Sequence, residues 1–571
     1  MLHKGLLLIA FFTVCLLSTE SFARQQTDAQ QSLLPEIDPQ DIEIRSQFQA
    51  RFPGLRRQPI LGFNPRPRVF QVDPGRTPFI EDEEAVMANL PIGELDRPEA
   101  PKYDALTYSE PQNGFARVGM GSYITPEADI YGITKLGNNN WVSGNLHYTS
   151  TDGHLDEGDS SYRFFDAGIN TYSALTENSK LKFYGSASSN YNHFLTVDGF
   201  EDNSSRIEKT GFKGGGHLTV NQTSLSGFEL ELEGFSNQFD IASDFDAYRG
   251  NATEWGVQGK AEYSRLGENI EEVHRLRLTT RSGGINPAGG TMDSWSVAEL
   301  SAHYERLFNY QTEVKAALGV AGATDAMNDY TLYITPSLTL NHILFDGLTV
   351  NGLLSGKPGH HTLGSLQEEN RFITLSSPLE HYYEFTARAG VKLEPFNGTK
   401  ITGGVSYQNI KNYLYYSRDE LPGPVPPPAT AGYYDVNASN ATFMKIYGGF
   451  YQDLRPEKLW ISADGYLQRP RISGNEKIPF IEALGVKSTV SFRPVKQLLI
   501  EGWAEYIGNR EDSEGNDLSS FVLIGSRFEI SITERAGIFG KVLNLLDENY
   551  EQWQGYPERG FQGFVGFTYI F

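Results

Sequence analysis

One cysteine stands in 571 residues, and that one, Cys15, sits inside the apolar run from Gly5 to Leu17. His3 and Lys4 precede the run and Ser21-Phe22-Ala23 follows it, so residues 1–23 read as a secretory signal peptide cut near Arg24. Val14 is too large for a lipoprotein cleavage site, which leaves lipid modification of Cys15 as the lesser reading. The exported chain then has no thiol, and disulfides, thiolate metal sites and cysteine nucleophiles are all excluded. Long apolar runs are missing as well. Beyond residue 24 nothing approaches the roughly 18 apolar residues of a membrane-spanning helix, so helical spanning is excluded.

Positive charge is scarce. Lys and Arg number 48 against 71 Asp and Glu, a net charge of -23, which argues against nucleic acid as a partner. Histidines number 11, and the pair His360-His361 in GKPGHHTLG has no carboxylate or further histidine at ligand spacing. It reads as part of a surface loop, and no metal or cofactor is expected. The run Gly214-Gly215-Gly216-His217 lacks the lysine and helix of a phosphate loop and reads as a strand lying against a neighbouring backbone. No G-x-S-x-G element marks a nucleophile elbow, so no enzyme is assigned.

What the sequence does have is 58 Gly, 35 Phe and 30 Tyr, a strand-and-turn vocabulary. From Gly114 onward the apolar period is two. In GFELELEGF, Phe228, Leu230 and Leu232 oppose Glu229, Glu231 and Glu233. In YYEFTARAGVKL, Tyr383 through Leu393 alternate with Glu384, Thr386, Arg388, Gly390 and Lys392. About 22 such segments can be traced, with 20 to 24 as the range. Links of roughly 4 to 7 residues alternate with links of about 10 or more, the short-turn and long-loop asymmetry of an outer-membrane barrel. The expectation is an all-β fold over 114–571, a large antiparallel transmembrane β-barrel, since only closure pairs every backbone group in hydrocarbon. Glu229, Glu231, Arg275, Arg277, Glu384, Arg388, Arg527 and Glu529 are then expected to face the lumen. Exposed to lipid near mid-membrane, an arginine would cost about 2–4 kcal/mol. A lumen of that size is too wide for side chains alone to fill.

Residues 24–113 differ. They hold 12 of the 28 prolines and charge runs such as Glu81-Asp82-Glu83-Glu84, the composition of an irregular periplasmic or lumenal lead-in. Within it, residues 41–63 alternate and then turn basic, either a short pairing strand with a solvated turn or a docking segment. Among the long links, 409–440 combines Tyr413, Tyr415, Tyr416, Tyr433 and Tyr434 with Pro424, Pro426, Pro427 and Pro428. Stiff proline and flat amphipathic tyrosine suit ligand capture, and the same tyrosines suit an aromatic girdle at the outer interface.

The C-terminal stretch KVLNLLDENYEQWQGYPERGFQGFVGFTYIF resembles the closing segment of TonB-dependent outer-membrane receptors, through Asn544, Leu545, Leu546, Asp547, Tyr550, Gly555, Tyr556, Pro557, Gly560, Phe561, Gly563 and Phe571. The resemblance, extended over 114–571, implies a 22-strand barrel in the outer membrane of a Gram-negative bacterium, uptake of a scarce small solute, and TonB as the energising partner. It departs at the other end: the lead-in is shorter than the family's folded plug, and neither plug motifs nor a TonB-pairing box can be placed in it. In the last strand Phe561, Val565, Phe567, Tyr569 and Phe571 would form one row against lipid. Phe567, Tyr569 and Phe571 resemble the signal read by the barrel-assembly machinery, and the strand is expected to pair with 114–123. Two other functions suit the same pattern: a passive diffusion pore, and a surface scaffold binding another outer-membrane or extracellular protein.

Overall fold

Glycine and aromatic residues on alternating strands set the architecture. The computed structural model describes residues 113–571 except 138, 156–159, 195–204, 224, 243–248, 268–270, 288–292, 326–329, 376–379 and 419–432. The signal peptide, the lead-in with its 41–63 patch, and the prolines at 424–428 lie outside the described residues.

The strands in chain order are β1 (Gly114–Gly121), β2 (Thr125–Lys135), β3 (Asn140–Thr151), β4 (Tyr162–Thr176), β5 (Ser179–Phe194), β6 (Ser205–Thr223), β7 (Ser226–Ala242), β8 (Gly250–Leu266) and β9 (Glu272–Pro287). There follow β10 (Asp293–Phe308), β11 (Thr312–Thr324), β12 (Thr331–Phe345), β13 (Leu348–His360), β14 (His381–Leu393), β15 (Thr399–Arg418), β16 (Tyr434–Arg455), β17 (Leu459–Ile472), β18 (Leu484–Val495) and β19 (Leu498–Ile507). The series ends with the short β20 (Arg510–Glu511) and β21 (Asp517–Leu518), then β22 (Phe521–Ser531), β23 (Ala536–Leu543), the short β24 (Glu551–Trp553) and β25 (Tyr556–Pro557), and β26 (Gln562–Ile570). Twenty-two of them form one antiparallel sheet in which each pairs with the next along the ring and β26 pairs with β1. The sheet is closed, so its backbone groups can be satisfied within lipid.

Side-chain alternation gives the two faces. Leu332, Ile334, Leu338 and Leu340 on β12 are exposed, as are Phe561, Val565, Phe567, Tyr569 and Phe571 at the end of the chain. In a barrel this row is the lipid face. The opposite face carries the charges. Seam register runs from Phe115 opposite Ile570 to Gly121 opposite Phe564. Here Phe539 of β23, only 2% exposed, covers two glycines: a Cβ on Gly566 would stand 2.5 Å from its ring and one on Gly119 2.9 Å. The guanidinium of Arg117 lies 3.8 Å above the same ring. A side chain at Gly566 would therefore push Phe539 off the seam. Gly215 plays the same part under Tyr184, whose hydroxyl donates to Glu233 at 2.6 Å.

The principal core of buried apolar residues gathers where the long links are, at the outer mouth. It joins Phe194, Ile207, Phe239, Ile241, Ala252 and Ile285, from the outer ends of β5 to β9, to Leu363, Leu366, Phe372 and Ile373 from the β13–β14 link. It continues through Leu414, Tyr416, Tyr433, Tyr434 and Val436 of the β15–β16 hairpin to Phe480 and Tyr556. β7 and β16 are nine places apart in a ring of 22, nearly opposite, so the loops pack across the mouth.

Candidate functional site

The β13–β14 link carries the short helix α1 (Leu363–Glu369), which starts at Thr362 with a reciprocal cap: Ser365 N donates to Thr362 Oγ1 and Thr362 N to Ser365 Oγ, both at 3.0 Å. The helix is pinned to the wall five strands back along the ring by Glu254 of β8, which is fully buried. Its carboxylate accepts from Leu363 N at 2.5 Å and Gly364 N at 3.0 Å, and from Asn237 Nδ2 at 3.1 Å. Gly364 is needed here because an added Cβ would stand 2.8 Å from Asn237 Nδ2. Past the helix, Asn192 Nδ2 donates to Arg371 O at 3.4 Å, and Phe372 O and Thr374 N exchange backbone bonds with Tyr434 at 2.9 and 3.0 Å.

The link between β23 and β26 closes the other side. Asn544 and Asp547 adopt left-handed backbone conformations, φ 47° and 50°. The Asn544 side chain accepts from Glu548 N at 2.9 Å and donates to Glu548 O at 2.8 Å and Arg559 O at 3.2 Å, while Asp547 Oδ1 accepts from Phe561 N at 2.7 Å. This is the structural content of the Asn-Leu-Leu-Asp element: it folds the link back and places Arg559. Arg510, itself buried, holds the far part through Gln552 O at 2.8 Å and Glu551 O at 2.7 Å. Phe372 stacks on Tyr556 with centroids 3.5 Å apart.

Between the two links lies a cavity of about 540 Å³, in the range of small-molecule sites. Its wall includes Tyr162 and His193 from β4 and β5, His154 and Ser160 from the β3–β4 link, Glu369 and Arg371 beside α1, and Glu558 and Arg559 from the last link. Arg371 and Arg559 both lie over the Tyr162 ring, their guanidinium carbons 5.4 and 4.9 Å from its centroid. Arg559 also donates to Thr125 Oγ1 at 3.4 Å and to the Tyr162 hydroxyl. Burial pushes both guanidiniums below the usual arginine range. It pushes the Glu558 carboxyl up, against the pull of Arg371, and the Glu369 carboxyl up, against its bond from Tyr416. His154 Nε2 lies 2.9 Å from Pro557 O; a carbonyl only accepts, so Nε2 carries the proton and Nδ1 faces Ser160 Oγ at 3.3 Å. Burial, with Arg559 and Arg371 nearby, holds His154 below the ordinary histidine value, so the neutral ring is favoured.

The sequence-named residues fall elsewhere. β15 runs to Arg418 and β16 starts at Tyr434, so most of the 409–440 segment is hairpin, not loop. Tyr416, Tyr433 and Tyr434 are buried in the mouth core, the last two completely, and Tyr413 and Tyr415 are half-buried. None of the five lines the cavity. The hairpin extends because Leu414, Tyr416, Val436 and Tyr434 find apolar cover there, with Trp553 packing edge-on against Tyr416 and Tyr434.

The charged residues sit in wall networks. Glu229 lies 3.5 Å from Lys260 Nζ; Arg277 Nε donates to Glu262 at 2.6 Å; Arg275 donates to Glu305 at 2.9 Å. Glu231 is in register with His217 and Lys260, and Arg388 with Leu353 and Ser406. Glu384 accepts from Thr386 Oγ1 at 2.7 Å and Gln408 Nε2 at 3.2 Å. Arg527 Nε lies 3.1 Å from Glu501, and Glu529 3.5 Å from Arg117. Phe567, Tyr569 and Phe571 stand on the outer face of the seam. His360 ends β13 and stacks on Trp295 at 4.0 Å, and His361 packs on Tyr382 at 4.6 Å. Among the described residues no cluster of His, Cys, Asp and Glu is arranged to hold a metal ion.

A closed 22-strand sheet with an apolar outer face, a charged inner face and a loop-packed mouth defines a large transmembrane β-barrel. Solved structures sharpen the class. The chain is similar to the FrpB iron transporter from Neisseria meningitidis, with 11% identity, TM-score 0.64, and coverage of 82% of this chain and 83% of that one. It is similar to the ferric yersiniabactin uptake receptor FyuA from Yersinia pestis, with 13% identity, TM-score 0.62 and 80% of each chain, and to the copper transporter OprC, with 10% identity, TM-score 0.63 and 80% of each chain. The chain thus has the barrel fold of TonB-dependent outer-membrane receptors. No protein-family model and no curated protein sequence matches it.

Proposed function

We propose that the protein is an outer-membrane import receptor that captures a scarce small solute at its outer mouth and passes it into the barrel. The observation that carries this reading is the 540 Å³ cavity, built by four separate outer segments of the chain and lined by convergent charged and aromatic groups. Neighbours of this fold are named as transporters and uptake receptors, which supports transport in place of enzymology. On this reading the mouth tyrosines act from behind, as packing for the link that carries Glu369, Arg371 and Phe372. The lumenal charges line the path, and Phe567, Tyr569 and Phe571 serve assembly. The partners implied are outer-membrane lipid, the barrel-assembly machinery during biogenesis, the solute, and TonB, whose pairing segment would fall among residues outside the described set.

Two observations bear on the alternatives. A passive pore wants an open mouth, whereas apolar side chains from nearly opposite walls meet here. A scaffold would present flat loops, whereas the described parts of the β13–β14 and β23–β26 links pack into the mouth core. The test is competitive growth of a deletion strain carrying the wild-type chain or Ser161→Trp, which fills the cavity, on media limited in turn for metals, metal complexes, cofactors and sugars. The reading expects at least one medium in which wild type outgrows both the deletion and Ser161→Trp. Indistinguishable growth of wild type and Ser161→Trp in every medium where the deletion suffers would overturn it.

A further inference from the structure

We infer that the solute taken by this cavity is an anion, a flat or ring-bearing group carrying carboxylate-, sulfonate- or phosphate-type oxygens received between Arg371 and Arg559. The inference rests on the capture reading above and names its ligand class.

Two guanidiniums stand 5.4 and 4.9 Å from the centroid of one tyrosine ring in the wall of one cavity, and desolvation raises the cost of each. Such a pair persists where something of opposite sign is meant to lie between them. The carboxyls of the cavity do not supply that charge. Glu368 is 80% exposed and lies 3.9 Å from Lys209 Nζ, with which it pairs. Glu369 bonds with Tyr416, and burial favours its neutral form. Glu558 acts on Arg371 through space, and burial biases it toward its neutral form as well. Around Arg559 the one ionisable group favouring its cation is the Tyr123 phenol, and no carboxylate among the described residues lies within ion-pair distance. Its hydrogen-bond partners, Tyr162 and Thr125, are neutral hydroxyls that hold the fork in place without discharging it. The arrangement is therefore a preoriented, incompletely neutralised pair of planar donors, which suits oxyanions with more than one oxygen. The flat preference comes from the walls, which include the aromatic side chains of Tyr162, Phe372, Trp553 and Tyr556. His154 and His193 add polar contacts.

The probe is benzene-1,3,5-trisulfonate, ionised at any working pH, against benzene-1,3,5-trisulfonamide, the same shape without charge. Binding to the full chain in detergent is read by calorimetry, with the folded barrel checked by its heat-dependent gel migration. The expected result is saturable binding of the trisulfonate, at least about tenfold weaker binding of the trisulfonamide, a loss of about tenfold or more in Arg559→Gln and in Arg371→Gln, and none detectable in the double variant. Equal binding of the two probes, no binding of either, or wild-type affinity in Arg559→Gln overturns the inference. The two readings separate cleanly: if Ser161→Trp removes the growth advantage while Arg559→Gln binds like wild type, the anion falls and capture stands. If Ser161→Trp grows like wild type throughout, capture itself falls.

Discussion

Arg117 of the first strand reaches Glu529, three strands away across the seam, at 3.5 Å on the inner face. Lys541 makes the same span in the other direction, to Glu127 at 2.5 Å. Two ion pairs thus cross the joint where chain start meets chain end, and beneath them Phe571 O accepts from Asn113 N at 2.7 Å and Gly114 N at 3.0 Å, while Phe571 N donates to Gly114 O at 3.0 Å.

Deleting Phe571 removes the three backbone bonds that this residue adds to the seam ladder. At about 1 kcal/mol net for each bond, the closed joint loses roughly 3 kcal/mol. The expected outcome is a several-fold fall in correctly folded outer-membrane protein on semi-native gels. The partly exposed ion pairs contribute much less, about 0–1 kcal/mol each, so Arg117→Met lowers the folded fraction only slightly.

Passage of a captured solute from the cavity into the barrel requires the α1 link to move. An added Cβ on Gly364 would stand 2.8 Å from Asn237 Nδ2, so cysteines at these two positions point at each other, and the exported chain is expected to have no other thiol to compete. Oxidised Gly364→Cys/Asn237→Cys should lose solute-dependent growth, and reductant should restore it. Growth unaffected by oxidation, with the bridge confirmed by mass spectrometry, would mean the link need not move.

Binding of the anionic probe should strengthen as pH falls. Glu558 faces Arg371, with His154, His193, Glu369 and Arg559 around the same space, and its carboxyl is raised by burial. Protonation removes a negative charge beside the arginines, so affinity rises as pH falls through the raised Glu558 pKa. A charged His154 would add in the same direction, but its depressed pKa places that contribution at the acid end. Glu558→Gln should bind like the protonated wild type at every pH and so show a flatter profile.

The barrel was legible because its signal is periodic and repeated. Leu332, Ile334, Leu338 and Leu340 alternate in the sequence and all stand on the outer face. The terminal row from Phe561 to Phe571 does likewise, and the first-to-last strand pairing follows from closure. The site was much less legible. Aromatic content pointed to Tyr416, Tyr433 and Tyr434, yet aromatic side chains in a long hairpin bury against one another as readily as they face solvent, and here they form the core of the mouth. Arg371 and Arg559 lie 188 positions apart in the sequence, and only the inward fold of two links brings them over Tyr162. The local clue was present in YPERGF, a charged pair set between a turn and the last strand, but nothing in the sequence says which groups it will meet. Glu254 gave no clue, because a lone glutamate on an alternating strand reads as one more lumenal charge until a helix from a link five strands along the ring docks on it.

The most direct test of a closed, capture-type barrel is conductance of the full chain in planar bilayers. With apolar residues from nearly opposite walls meeting across the mouth, inserted protein should carry no steady current in plain salt. A steady, ohmic conductance from the wild-type chain would contradict the account and make the protein a pore.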